Sequence, residues 1–513
     1  MSVTPFSRIV TGLALAGLLG CTLAAAHAAD TDTAAKPDAK KAEPEAKSGN
    51  KPDLDLPPLS EDKTIHQTIQ LNGKALHYDA TVGTIKVRDA KGKVIGEVVY
   101  TAYVVPGSDT KRPVTFAFNG GPGASSVYLN MGAIGPRRVQ FGSAGDAPSD
   151  SSELKDNPHT WLDMSDLVFI DPVGTGFSRS LEDPDKTKAD FYSTEPDIKY
   201  LSRIVYDWLV KNGRLRSPKF LMGESYGGYR APRVAYQLQT QLGVGIKGLI
   251  MVSPYLDPAA IGDETALSPL PWMINLPSMA ASHLEAQKQL TPEAMHAVEA
   301  YTRGQFATDL LAGRSDPAAV ERLVAKVSSL TGIDAAIVGR LDGRLDSDTF
   351  LRELHRADKK IGSVYDANVT AYDPFPASAE RKSGDPILNA LIAPATSAMV
   401  DFVTREAGWK NESQYKALSF EVNAAWDRGN AQDKPVGDLR QAMANDPKMG
   451  VLIAHGYNDL SCPYFTSELI LDQMPKMMSS PAHIAVYPGG HMFYSRDGSA
   501  SAFKRDAKAL YDQ

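Results

Sequence analysis

A chain of 513 residues with 43% apolar and 22% charged residues has the composition of a globular protein. It is longer than one compact core usually needs, so a main domain with a large insertion, or two domains, is expected. The formal net charge of −7 gives no basic footprint and argues against nucleic acid as a partner. Cys21 and Cys462 are the whole cysteine content, which excludes a disulfide scaffold and a cysteine-based metal site.

In chain order, Arg8 precedes the apolar stretch "IVTGLALAGLLGCTLAAA", and "AHA" at 26–28 supplies the small residues of a cleavage site. Residues 1–28 therefore read as a signal peptide, and the mature chain as exported, periplasmic or secreted, without a transmembrane segment. Cys21 in "LLGC" also resembles a lipobox, so a lipoprotein anchored through Cys21 is the alternative. Residues 29–62 are Ala, Lys, Asp, Glu and Pro with almost no large apolar side chain. Such a segment cannot offset its ordering entropy and reads as a disordered linker.

The folded part is expected from Lys63. "TIHQTIQLNGKALHYDATVGTIKVRD" alternates around Asn72-Gly73, a hairpin signal, and "VIGEVVYTAYVV" continues the antiparallel strands. The pattern then changes to short apolar strands, "PVTFAF", "DLVFID", "KFLMGES" and "IKGLIMVSP". Between the second and third, Ile198, Leu201, Val205, Trp208 and Leu209 recur at helical spacing after a Thr194 cap and Pro196. Strands alternating with helices imply a mainly parallel sheet covered on both faces.

Gly223, Ser225 and Gly227 form G-x-S-x-G between the strand "KFLM" and the helix "GGYRAPRVAYQLQTQ". That strand-turn-helix context marks Ser225 as a catalytic nucleophile held in a sharp turn. A serine needs a base and a group that orients the base, in chain order serine, acid, histidine. His491 follows a strand and two glycines in "HIAVYPGGHMFYS" and is the candidate base; His455 and His483 lie on or before strands and read as structural. Asp459 follows the strand Val451–Ala454 and is the candidate acid, although a turn aspartate often serves only as a cap. The loop "NGGPG" offers oxyanion donors, the N–H groups of Gly121 and of Tyr226, the residue after the nucleophile.

Together, "NGGPGASS", "NPHTWLDMSDLVFIDPVGTGFSRS", "GESYGG", "HGYNDLSC" and "GGHM" resemble the serine carboxypeptidase family across Pro113–Ser253 and Met449–Arg496. The resemblance implies an α/β-hydrolase fold: a mostly parallel central sheet with N-terminal antiparallel strands, its core at 63–253 and 449–513, interrupted by a mostly helical cap insertion at 254–448. It implies a serine carboxypeptidase, an exported bacterial member, acting at acidic to neutral pH on peptides with a free C-terminus. It also implies that Asn119, Gly120 and Glu224 bind the substrate's terminal carboxylate. Glu224 does so only when protonated, because a carboxylate repels where a carboxylic acid donates.

Two departures stand out. Ala124 occupies the position of a loop cysteine, and Ala133 in "GAIGPRR" replaces a glutamate expected near the leaving residue. In the insertion, Trp272, Tyr372 and Phe375 read as core rather than as substrate contacts. No metal motif, P-loop or dinucleotide fingerprint is present, so no cofactor and no metal are expected. An esterase or acyltransferase on the same triad, or a non-catalytic binding protein, are the competing readings.

Overall fold

The computed structural model describes residues 56–107, 110–140, 152–257, 267–378, 380–429, 435–475 and 482–513. The signal peptide, Cys21 and all but the last residues of the expected linker lie outside the described residues.

Nine strands run through the main sheet: β1 (Lys63–Leu71), β2 (Lys74–Arg88), β3 (Val94–Val104), β4 (Val114–Phe118), β5 (Asp166–Ile170), β6 (Lys219–Glu224), β7 (Gly248–Val252), β8 (Gly450–Gly456) and β9 (His483–Tyr487). Their spatial order is β1-β2-β3-β5-β4-β6-β7-β8-β9, and the short Arg179–Ser180 pairs with β3 as a tenth strand. β1 to β3 are antiparallel, β3 meets β5 antiparallel, and every pairing from β5 to β9 is parallel. Asn72 and Gly73, both at positive φ, close the β1–β2 hairpin, as the Asn-Gly signal predicts.

Six helices bear on the site: α1 (Thr194–Lys211), α2 (Tyr226–Gln241), α3 (Leu270–Ala286), α4 (Pro386–Asp401), α5 (Pro435–Asn445) and α6 (Asp497–Tyr511). β4 to β8 are buried from end to end, which a parallel sheet covered on both faces requires. Successive residues feed opposite layers. Phe116, Val168 and Leu221 pack toward α1, α2 and α5, whereas Ala117, Phe169 and Met222 pack toward α4 and α6. Phe116 meets Trp208 of α1 edge-on, with ring centroids 5.3 Å apart. The predicted α1 stripe is buried throughout, each such side chain stabilising by about 1.5–3 kcal/mol relative to exposure. The cap of α1 is Ser193 rather than Thr194; the Thr194 hydroxyl instead lies 3.2 Å from that of Tyr226.

The 254–448 insertion is mostly helical, but it does not form one separate layer. Met273, Leu276 and Phe306 belong to a core of their own, which also takes in Leu460 beside the acid turn. Ala398 and Met399 of α4, and Leu439 and Met443 of α5, join the two layers of the sheet itself. The reason is amphipathic: both helices present apolar stripes that the sheet's faces bury. Trp272 packs against the insertion's core, but Tyr372 and Phe375 are exposed and correct the expectation that they are core. Among the described residues one helix, Pro386–Glu406, is long and apolar enough to cross a membrane by length and composition alone.

Candidate active site

Ser225 sits in the turn from β6 into α2 at φ 59° and ψ −121°, a backbone conformation that costs energy for a non-glycine residue and recurs at functional turns. The turn is held from three sides. The Ser225 N–H donates to the Val252 carbonyl at 2.9 Å, and its carbonyl accepts from Gly228 at 2.9 Å and Tyr255 at 3.1 Å. A Cβ on Gly223 would lie 1.9 Å from the Gly227 oxygen, so the sharp turn is possible only without a side chain there.

His491 and Asp459 come from the ends of β9 and β8. His491 Nδ1 lies 2.7 Å from Asp459 Oδ2, and both side chains are buried. The other oxygen of Asp459 accepts from the Ser461 and Cys462 N–H groups at 2.8 and 3.0 Å, which fixes the carboxylate toward the ring. Burial acts to lower the His491 pKa, but the Asp459 carboxylate more than offsets it, and the net displacement is upward. Ser225 and His491 line one cavity of about 210 Å³.

The loop after β4 brings Asn119, Gly120 and Gly121 to the same cavity. A Cβ on Gly120 would lie 2.4 Å from the Tyr226 nitrogen, so this loop and the nucleophile turn touch backbone to backbone. Tyr226 opens α2, and a first-turn N–H has no partner inside its own helix. The Gly121 and Tyr226 N–H groups thus belong to the two backbones that meet beside Ser225. Arg230 of α2 braces this junction: its Nη1 donates to the Asn119 carbonyl at 2.8 Å and its Nε to Asp197 at 2.6 Å, in a fully buried pair. The Asn119 side-chain oxygen accepts from the Leu129 N–H at 3.0 Å, which turns its amide N–H₂ toward Glu224.

Glu224 is buried, lines the cavity and accepts a hydrogen bond on Oε2 from the Tyr494 hydroxyl at 2.7 Å. Burial pushes its carboxyl up to about 6, against the opposing effects of His491, Tyr494 and Asn119. A neutral carboxylic acid is therefore accessible at mildly acidic pH.

All eight residues singled out in the sequence converge here. Seven line the cavity, and Asp459 stands behind His491. Sequence reading missed Tyr128, Tyr365, Leu388, Leu418 and Arg428, which also line it, and Tyr494 behind Glu224. Five of the lining residues, Tyr255, Tyr365, Leu388, Leu418 and Arg428, come from stretches of the insertion that carry no motif, and only the fold brings them in.

Two other side chains of a reactive type are nearby. His455 is buried on β8 with Nε2 2.8 Å from the Ser467 hydroxyl, and burial lowers it to about 4, so it stays neutral. Cys462 lines the cavity, but burial, reinforced by Asp459, pushes its thiol up and suppresses the thiolate. Among the described residues no group of three or more His, Cys, Asp or Glu is placed to hold a metal ion.

Residues 83–305 match the family model described as serine carboxypeptidase. Serine carboxypeptidase-like 36 of Arabidopsis thaliana is 26% identical over 205 residues, 39% of this chain and 39% of that protein. The pheromone-processing carboxypeptidase KEX1 of Ogataea parapolymorpha is 31% identical over 199 residues, 37% of this chain and 27% of that protein. The chain thus spans less than half the length of the curated relatives it matches. A crystal structure of Kex1(delta)p, a prohormone-processing carboxypeptidase from Saccharomyces cerevisiae, superposes with a TM-score of 0.53 at 16% identity. That superposition covers 85% of this chain and 91% of the yeast one and supports the α/β-hydrolase fold. Residues 83–305 are thus similar to the serine carboxypeptidase family.

Proposed function

We propose that this chain is a serine-type carboxypeptidase that removes C-terminal residues from peptides through an acyl-enzyme, best at acidic to neutral pH. The observation that carries the proposal is one cavity lined by Ser225, by His491 with its ring bonded to Asp459, and by the buried carboxyl of Glu224. A neutral carboxyl beside the nucleophile can donate a hydrogen bond to a terminal carboxylate, a group that a simple ester does not carry.

In the proposed reaction, Ser225 Oγ attacks the last peptide carbonyl while His491 Nε2 takes its proton. Asp459 holds the Nδ1 tautomer and stabilises the imidazolium. The oxyanion is met by the N–H groups of Gly121 and Tyr226. His491 then protonates the departing amino acid as the peptide C–N bond breaks. Water attacks the ester with His491 again as base and releases the shortened peptide. Protonated Glu224, the Asn119 amide and the Gly120 N–H hold the substrate's terminal carboxylate. No cofactor takes part.

One comparison tests this: release of the last residue from a blocked peptide with a free C-terminus, against its amidated form and a simple ester. Strong preference for the free acid is expected. Indifference between acid and amide points to an esterase or acyltransferase on the same residues, and no turnover by wild type and Ser225→Ala alike points to a binding protein. We also propose export, with residues 1–28 removed or Cys21 lipidated; the mass of the mature N-terminus distinguishes the two.

A further inference from the structure

We propose that Tyr494 is a positioning residue for Glu224: its hydroxyl fixes the proton of the neutral carboxyl on Oε1, the oxygen offered to the substrate. This rests on the carboxylate-binding role proposed above for Glu224.

Tyr494 lies three residues after His491, in the short turn Phe493–Ser495. Its ring is buried, edge-on to Phe493 with centroids 5.8 Å apart, and its hydroxyl donates to Glu224 Oε2 at 2.7 Å. Ala133, where the family resemblance leads one to expect a glutamate, offers Glu224 no hydrogen bond. The tyrosine therefore supplies, from the base's own loop, a contact absent from the other side.

The chemistry follows from what each oxygen can do. A carboxylic acid has one acceptor oxygen and one hydroxyl. With the phenol O–H donating to Oε2, Oε2 is the acceptor and the acid proton resides on Oε1. Without the phenol either oxygen can carry it, and half the arrangements present no donor to the substrate. When Glu224 ionises, the same bond stabilises the carboxylate and opposes the effect of burial.

Other titratable groups around Glu224 are His491 and Asp459 from the two loops after β9 and β8, Tyr128 from the segment after the glycine loop, Tyr365 from the insertion, and Cys462. Burial keeps the three phenols and the thiol neutral. Glu224 and His491 are the pair whose charges act on each other across the cavity.

The test is KM and kcat against pH for wild type, Tyr494→Phe, Glu224→Gln and the double variant, on a blocked dipeptide. Wild-type KM is expected to climb with pH as neutral Glu224 is lost. In Tyr494→Phe the inflection should move up by about one pH unit, because a hydrogen bond to the charged form has gone, with KM raised severalfold below it and the change falling on KM rather than kcat. In Glu224→Gln, where Tyr494 still orients the amide, KM should be nearly independent of pH, and adding Tyr494→Phe should raise it equally at every pH. An inflection in Tyr494→Phe that coincides with wild type overturns the proposal. If Tyr494→Phe does not fold, a Glu224→Gln enzyme whose KM lies more than tenfold above the acidic wild-type value overturns it instead, since an oriented amide should replace an oriented acid. Absence of any wild-type preference for a free C-terminus is a separate result: it removes the functional reading itself.

Discussion

His491 Nδ1 and Asp459 Oδ2 stand 2.7 Å apart, with both side chains buried and the second aspartate oxygen held by two backbone N–H groups. The acid is thus locked before any substrate arrives. Asp459→Asn keeps the acceptor for Ser461 and Cys462 but presents an amide to the ring and favours the wrong tautomer. We expect kcat to fall on the order of 10⁴-fold with little change in KM. Steady-state kinetics check it, and a loss below tenfold contradicts the assignment.

Glu224 and His491 influence each other through the cavity. The Glu224 charge adds to that of Asp459 in raising His491 against burial, and His491 opposes the rise of Glu224. Removing the charge in Glu224→Gln should therefore let the His491 pKa fall. The acid limb of the kcat/KM profile is expected to move to lower pH, since a base with a lower pKa is free sooner as pH rises. A limb that stays in place shows that the two groups are not coupled.

A charge cluster clamps the acid and base loops to the insertion. Arg496 bonds Glu285 of α3 at 2.5 Å and Asp366 at 2.7 Å. Asn458, beside the acid, donates to Glu285 at 2.5 Å, and the His491 N–H donates to the Tyr365 carbonyl at 2.5 Å. Arg496→Met leaves two carboxylates facing each other. Because the guanidinium is partly exposed, the expected cost is about 2 kcal/mol, below that of a fully buried pair. It should appear as a lowered Tm and a kcat about tenfold down as the loops loosen. Unchanged Tm and kcat together contradict a clamping role.

Asp171, just past β5, accepts from the Ser126 N–H at 2.8 Å and is raised to about 7 by burial. An unfolded aspartate releases its proton near pH 4, so between about 4 and 7 the folded chain holds a proton that the unfolded chain has lost. This contribution to stability is complete below about pH 4 and vanishes as pH rises through 7. Asp171→Asn, which cannot titrate, should gain in Tm relative to wild type between pH 5 and 8. A constant Tm difference across that range counts against the buried proton.

Much of this was legible in the sequence because the parts rest on local rules. The buried strands read as apolar runs, the β1–β2 turn as Asn-Gly, and Ser225 as a serine between glycines in a strand-to-helix turn. Asp459 and His491 were found from strand order rather than from any long motif. What stayed hidden depends on distant packing. Tyr494 looks like an ordinary core aromatic until β9 carries it against Glu224. Tyr365 sits in a loop flanked by Val364 and Ala367 of the insertion's own core, and Arg428 follows Trp426, which packs on Tyr226 and Tyr229 of α2. The helices α4 and α5 read as cap but join the sheet, since an apolar stripe does not reveal which surface it will cover. Thr194 reads as a cap because its type fits, and the neighbouring Ser193 takes the place while Thr194 turns to Tyr226.

Ser225 is expected to form a covalent acyl-enzyme with the help of His491 and Asp459. Intact-mass measurement after rapid acid quench of the enzyme with an activated ester, followed by peptide mapping, tests it most directly. One acyl group is expected on the peptide that carries Ser225, absent in Ser225→Ala and accumulating in the first turnover. Hydrolysis that proceeds with no adduct, or with the acyl group on another residue such as Cys462, contradicts it.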